Sequence, residues 1–156
     1  MPKLFMLSGP PASGKSTLAE QLRAKHPDAV YISSDAFIER YARYVGKKYN
    51  DVFQKAIKRA TKRIPKLVKL AKERNLDVIW DQCNLQMEDR RNKAYKFDGY
   101  EKVLYHAADY ELDTLLLRNK SRNRSPLSKD VMTKMYKLYQ YPSKEEAELW
   151  DQIYEF

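Results

Sequence analysis

The chain has 156 residues, 43% of them hydrophobic and 33% charged, with a formal net charge of +9. That length fits one domain with a core able to form without staples. No apolar run reaches the roughly 18 residues of a membrane span, and the lone cysteine, Cys83, excludes an intramolecular disulfide and a thiolate metal site.

In chain order, residues 3–7 read as a buried first strand rather than a signal peptide, since they run straight into a glycine loop. A helix follows from Lys15 to about Lys25, with Leu18, Ala19 and Leu22 inward. Val30 to Ser33 reads as a short second strand with Asp35 just past it, then a helix over about 36–45. From Asn50 to Asn75 the period is helical: Phe53, Ile57, Ala60, Ile64, Leu67 and Ala71 fall on one face. Asn50 is placed to cap that helix, and Pro65 inside it predicts a kink or two abutting helices. Lys55, Arg59, Lys62, Lys66 and Lys69 share another face, which is either solvated or a nucleic-acid contact.

Leu76 to Asp81 reads as a third strand ending in an acid, with Asn84 as the cap of a helix over about 86–96. A turn at Asp98-Gly99 leads to a fourth strand over 102–107. Helices are expected over about 111–121 and 129–140, separated by a polar, basic segment over about 118–127. Ser143-Lys144-Glu145-Glu146 matches a capping box and predicts a last helix over about 143–154. Strands alternating with helices argue for an α/β fold with a central parallel sheet covered by helices on both faces.

Gly9-Pro10-Pro11-Ala12-Ser13-Gly14-Lys15-Ser16 matches the phosphate-loop pattern G-x-x-x-x-G-K-S/T between a strand and a helix. The glycines let backbone N–H groups, including those near Ala12, Ser13 and Thr17, turn toward a bound phosphate, and the helix start adds positive potential. Lys15 reaches the β- and γ-phosphates and the Ser16 hydroxyl ligates magnesium, so ATP or another nucleoside triphosphate with Mg²⁺ is the implied donor.

Transfer also needs a group that takes the acceptor's proton. Asp35 lies where ligands bind in an open α/β sheet, and is either that base or a helix cap. Asp81 ends its strand as a Walker-B acid does, either holding a magnesium-bound water or capping a loop. Arg118, Arg122 and Arg124 precede Ser125-Pro126; Arg118 and Arg122 share a helix face and suit the charge on a transferring phosphoryl group.

Four blocks then make the chain resemble the kinase domain of bacteriophage polynucleotide kinases. They are Ser8 to Thr17, Ile32 to Asp35, Val78 to Asn84 with Arg90-Arg91, and Arg118-Asn119 through Arg122 to Pro126. The stretch from Asp130 to Lys137 also fits, and together they span about residues 1–141. The resemblance implies the P-loop kinase fold and transfer of the ATP γ-phosphate to a 5′-hydroxyl end of DNA or RNA. It places phosphate and metal binding on Lys15 and Ser16, the general base on Asp35, and phosphate stabilisation on Arg122 with support from Arg118. The chain departs from the family at Ile38, where an acceptor-binding arginine is usual, and at Ser34, usually basic. Arg40, Arg43 or the basic helix are the replacements to hand.

The D-x-D-x-T signature of a 3′-phosphatase does not occur. The leading expectation is thus a polynucleotide 5′-hydroxyl kinase in the cytoplasm, of the host cell if the chain is phage-encoded. The alternatives are a small-molecule kinase for a nucleoside, nucleotide or sugar, and a nucleotide switch without transfer activity. The tail with Trp150, Ile153, Tyr154 and Phe156 either packs on the body or forms a subunit contact in a homo-oligomer.

Overall fold

The computed structural model describes residues 1–122 and 126–156. Five strands form the sheet: β1 (Lys3–Ser8), β2 (Val30–Ile32), β3 (Val78–Asp81), β4 (Glu101–His106) and β5 (Gln152–Glu155). Their order is β2-β3-β1-β4-β5 and every pairing is parallel. The helices are α1 (Lys15–Lys25), α2 (Ser34–Val45), α3 (Tyr49–Arg74), α4 (Met87–Ala94), α5 (Leu112–Lys120), α6 (Lys129–Leu138) and α7 (Lys144–Ala147). The glycine loop therefore leaves the central strand, and the loops after β2 and β3 open on the same sheet edge.

Strand alternation divides the core between the two faces. Phe5, Leu7, Ile79 and Val103 meet Ala19 and Leu22 of α1. Leu4, Met6, Val30, Ile32, Val78, Trp80 and Leu104 face the other way, onto Val68 and Ala71 of α3, Ala94 of α4, Phe97 and Trp150. A third cluster, Ile38, Ala42, Val52 and Ala56, joins α2 to α3.

Three local expectations need correction. The last helix stops at Ala147, and residues 152–155 form β5 instead, with Leu104 opposite Ile153 and Tyr105 opposite Tyr154. The capping box is real, since Ser143 Oγ accepts from the Glu146 amide at 3.3 Å. The chain beyond that short helix is claimed by the open edge of β4, and Tyr105 stacks on Tyr154 with ring centroids 5.2 Å apart. Next, α3 runs through Pro65 as one helix, and it starts at Tyr49 without a side-chain cap. Its buried face is rotated slightly from the expected one: Val52, Ala56 and Val68 are buried beside Ala60 and Ala71, while Phe53 is 36% exposed.

The third correction is Asn84, which does not cap α4. It is buried with φ +44°, and its side chain donates to the Leu7 carbonyl at 2.8 Å. The free amide at the start of α4, on Met87, is met from across the chain by Gln140 Oε1 at 2.8 Å.

Candidate active site

The phosphate loop is tied to the chain that follows the two neighbouring strands. Gly9 N donates to Cys83 O at 2.9 Å, and Ala107 N to Ser8 O at 2.8 Å. Gly9 must lack a side chain, because a Cβ there would stand 2.6 Å from Ala107 Cβ and 2.9 Å from Ser13 Oγ. Gly14 adopts φ +104° as the N-cap of α1, a conformation open to glycine. Ala12 holds φ +67°, so the loop keeps a residue in a strained backbone region between its glycines.

Lys15 Nζ donates to the carbonyls of Gly9 at 2.7 Å and Pro10 at 2.9 Å. This fixes an ammonium at the mouth of the loop. Ser13 Oγ is buried and has no hydrogen-bond partner among the described residues. An orphaned hydroxyl, an ammonium and a helix N-terminus in one glycine loop match the chemistry of a phosphate chain. Ser16 and Thr17 are exposed at the first turn of α1. Among the described residues no three His, Cys, Asp or Glu side chains gather as a metal cage. A divalent ion here would be held by the Ser16 hydroxyl together with phosphate oxygens, with Asp81 reaching it through a bound water.

Asp81 ends β3 directly beside Leu7 of β1. Its Oδ2 accepts from Tyr31 Oη at 2.5 Å. Burial raises the Tyr31 hydroxyl well above its ordinary value, and the Asp81 charge adds to this. Asp35 lies in the first turn of α2, after Ser33, whose Oγ caps the helix by accepting from Ala36 N at 3.2 Å. Asp35 itself is exposed, and its Oδ1 accepts from Tyr49 Oη at 2.5 Å. Capping thus falls to Ser33, and the Asp35 carboxylate is bonded to Tyr49 instead.

A polar chain joins the donor loop to the acceptor side. Gln82 Nε2 donates to Ser34 Oγ at 2.6 Å, and Gln82 Oε1 accepts from Trp80 Nε1 at 2.8 Å and Lys93 Nζ at 3.0 Å. Lys93 also donates to Asn84 Oδ1 at 2.5 Å, and Asn84 in turn holds the Leu7 carbonyl. Burial lowers the Lys93 ammonium below the ordinary lysine range. Ser34, in a position usually basic in the resembled family, is here a link in this chain.

Behind it, Arg90 is fully buried and pairs in a bidentate way with Glu146, Nε to Oε2 at 2.8 Å and Nη2 to Oε1 at 2.5 Å. Arg90 also donates to Ser8 Oγ and to the carbonyls of Asn84, Leu85 and Gln140. Every guanidinium nitrogen is therefore engaged, which a buried charge requires.

Of the arginines, Arg118 lies in the last turn of α5 with its guanidinium 4.5 Å from the Tyr110 ring centroid. Arg122 is half-buried just past α5. Arg124 lies outside the described residues. Asn119 closes the base of this segment: Nδ2 donates to Leu127 O at 2.7 Å and Oδ1 accepts from Leu127 N at 3.1 Å. Arg40 lines a cavity beside Asp35, whereas Arg43 does not. Ile38 is fully buried between α2 and α3, so that position belongs to the core. Sequence reasoning missed Tyr31, Tyr49, Gln82, Lys93 and Asn119 as parts of the site. Only Gln82 and Asn119 carried a signal, as members of the blocks Val78 to Asn84 and Arg118 to Pro126.

No helix among the described residues is long and apolar enough to cross a membrane. Solved structures with this fold include a gluconokinase from Sinorhizobium meliloti 1021, with a TM-score of 0.61 at 16% identity, covering 99% of this chain and 81% of that one. Deoxyadenosine kinase from M. mycoides, solved with dATP, gives a TM-score of 0.55 at 17% identity, covering 99% and 90%. Shikimate kinase from Acinetobacter baumannii gives 0.53 at 18% identity, covering 100% and 84%. At these identities the likeness establishes the P-loop kinase fold. A family model described as AAA domain matches residues 4–142, and the chain, a phosphate loop on a five-stranded parallel sheet, belongs to that family.

Proposed function

We propose that this protein is a kinase that transfers the γ-phosphate of ATP to a hydroxyl of a small acceptor of nucleoside, nucleotide or sugar size. The observation that carries this reading is the Asp35 carboxylate, oriented by Tyr49 at the same sheet edge as the Lys15 loop. Asp35 accepts the hydroxyl proton as the acceptor oxygen forms its bond to phosphorus and the bond to the leaving ADP oxygen breaks. Lys15 and Arg122 meet the charge on the transferring group. The three solved kinases named above take small acceptors by their names, gluconate, deoxyadenosine and shikimate.

A second reading is the polynucleotide 5′-hydroxyl kinase suggested by the sequence resemblance. It is favoured by the net charge of +9 and by Lys55, Arg59, Lys62 and Lys66, all exposed along α3. Labelled ATP incubated with nucleosides, nucleoside 3′-phosphates, sugar acids and 5′-hydroxyl oligonucleotides tests both. Label entering the small acceptors at a higher kcat/KM supports the first reading, and a strong preference for oligonucleotides supports the second. Hydrolysis or binding of ATP with no labelled acceptor refutes both.

A further inference from the structure

Strand β2 is an edge of the sheet, and a cavity of about 160 Å³ lies along it. Three arginines from three different helices converge there: Arg23 of α1, Arg40 of α2 and Arg63 of α3. Each guanidinium stands over an aromatic ring that lines the same cavity. Arg23 is 4.2 Å from the Tyr31 centroid, while Arg40 and Arg63 are 5.8 and 5.9 Å from that of Phe37. None of the three forms an ion pair with a carboxylate among the described residues. The three side chains are exposed at the cavity's rim, so their charge is screened by water, and each guanidinium is a planar fork that matches phosphate geometry.

The cavity's place relative to the chemistry is equally specific. Ser33, Ser34 and Ala36, the residues flanking Asp35, line it, but Asp35 and the phosphate loop do not. An anion held there would sit beside the transfer site and away from the donor's phosphates. A molecule reaching from Asp35 into the cavity presents a hydroxyl at one end and an anionic group at the other.

We propose that this cavity binds a phosphate group of the acceptor, so that the substrate is already phosphorylated before transfer. Arg23, Arg40 and Arg63 supply the guanidinium groups that hold that phosphate, each from a different helix. The inference rests on the kinase reading. The phosphate belongs either to a mononucleotide or to a nucleic-acid end, which share this chemistry.

The test uses Arg23→Gln, Arg63→Gln and the double variant, with Arg63→Lys as the conservative control. Matched acceptors are a nucleoside, its 3′-phosphate, a 5′-hydroxyl oligonucleotide and a sugar acid. Losing charge-assisted hydrogen bonds predicts a KM for the 3′-phosphate that rises roughly tenfold to a hundredfold in the double variant. The ATP KM and the rate on the plain nucleoside stay unchanged, and Arg63→Lys recovers part of the loss. A KM that falls further with oligonucleotide length assigns the phosphate to nucleic acid, and saturation by the mononucleotide assigns it to a small molecule.

An unchanged KM for phosphorylated acceptors in the double variant overturns the assignment while leaving the kinase reading intact. A dependence on Arg23 and Arg63 seen only with the sugar acid also overturns it. A wild-type protein that labels no acceptor refutes the kinase reading. Calorimetric titration with the nucleoside 3′-phosphate then decides the cavity alone, through its dependence on the same two arginines.

Discussion

Tyr49 and Asp35 lie fourteen residues apart and are joined by a hydrogen bond of 2.5 Å from the tyrosine hydroxyl to Oδ1. The α2–α3 hairpin, closed by Ile38, Ala42, Val52 and Ala56, brings them together. The carboxylate is thus oriented by packing some distance from the reaction. Asp35→Asn should lower kcat by roughly 10²–10⁴ and leave ATP affinity nearly unchanged. Tyr49→Phe should cost about tenfold in kcat through lost orientation, with the ATP KM unmoved. Steady-state kinetics with a labelled acceptor and an independent ATP-binding titration separate these outcomes; a fully active Asp35→Asn variant rules out the base.

Gly9 is confined by a neighbour across the sheet, since an added Cβ would stand 2.6 Å from Ala107 Cβ. Gly9→Ala should weaken ATP binding at least tenfold and destabilise the fold by about 1–3 kcal/mol. If crowding by Ala107 is the cause, adding Ala107→Gly restores part of both. Calorimetry on the single and double variants checks this, and no recovery in the double variant argues for another cause.

The Arg90–Glu146 pair ties the end of β1 to α7 and to the loop after β3. Removing one partner strands a buried charge, so Arg90→Ala should cost about 3–5 kcal/mol and lower Tm by roughly 6–20 °C. Replacing both with apolar residues of similar volume, Arg90→Met with Glu146→Leu, should cost less than either single change. Thermal unfolding of the three variants is the measurement.

Asn119 fastens Leu127 to the end of α5 by two hydrogen bonds, which sets where the chain carrying Arg122 departs. Asn119→Ala should raise the ATP KM severalfold and reduce stability by about 1–2 kcal/mol. An unaltered KM with reduced stability would reduce Asn119 to a purely structural tie.

Stability should decline on the alkaline side. Burial raises the Tyr31 and Tyr139 hydroxyls in the folded chain. The folded state therefore holds more protons than the unfolded one above the ordinary tyrosine value of 10.0. Their contribution is complete below that pH and is lost as pH rises beyond it. Lys93 acts in the opposite sense: its lowered value makes stability rise as pH climbs toward 10.5, where the unfolded lysine loses its proton. Urea unfolding at stepped pH should show a fall above pH 10 that is shallower in Tyr139→Phe, and a rise below it that is missing in Lys93→Met.

The phosphate loop, the parallel sheet and the positions of Asp35 and Asp81 were legible because each is a local pattern with a fixed spacing. β5 was not, since its four residues come after a true capping box and become a strand only against the edge of β4. Asn84 looked like a cap because the side chain that caps does so through the same oxygen that here accepts from Lys93. The Tyr49 contact and the meeting of Arg23, Arg40 and Arg63 depend on how three helices pack, and no spacing along the chain encodes that.

The position of β1 between β3 and β4 also bears on how the protein is made. Both partners of the strand that carries the phosphate loop, residues 78–81 and 101–106, are synthesised long after it. The Gly9 amide finds its acceptor on Cys83. Such distant pairings in a parallel sheet are intrinsically slow to form. The glycine loop, made before both of those strands, thus depends for its strand and amide partners on chain that is synthesised after it. A nucleotide held by this loop would be a ligand of the completed sheet and would stabilise that state by mass action.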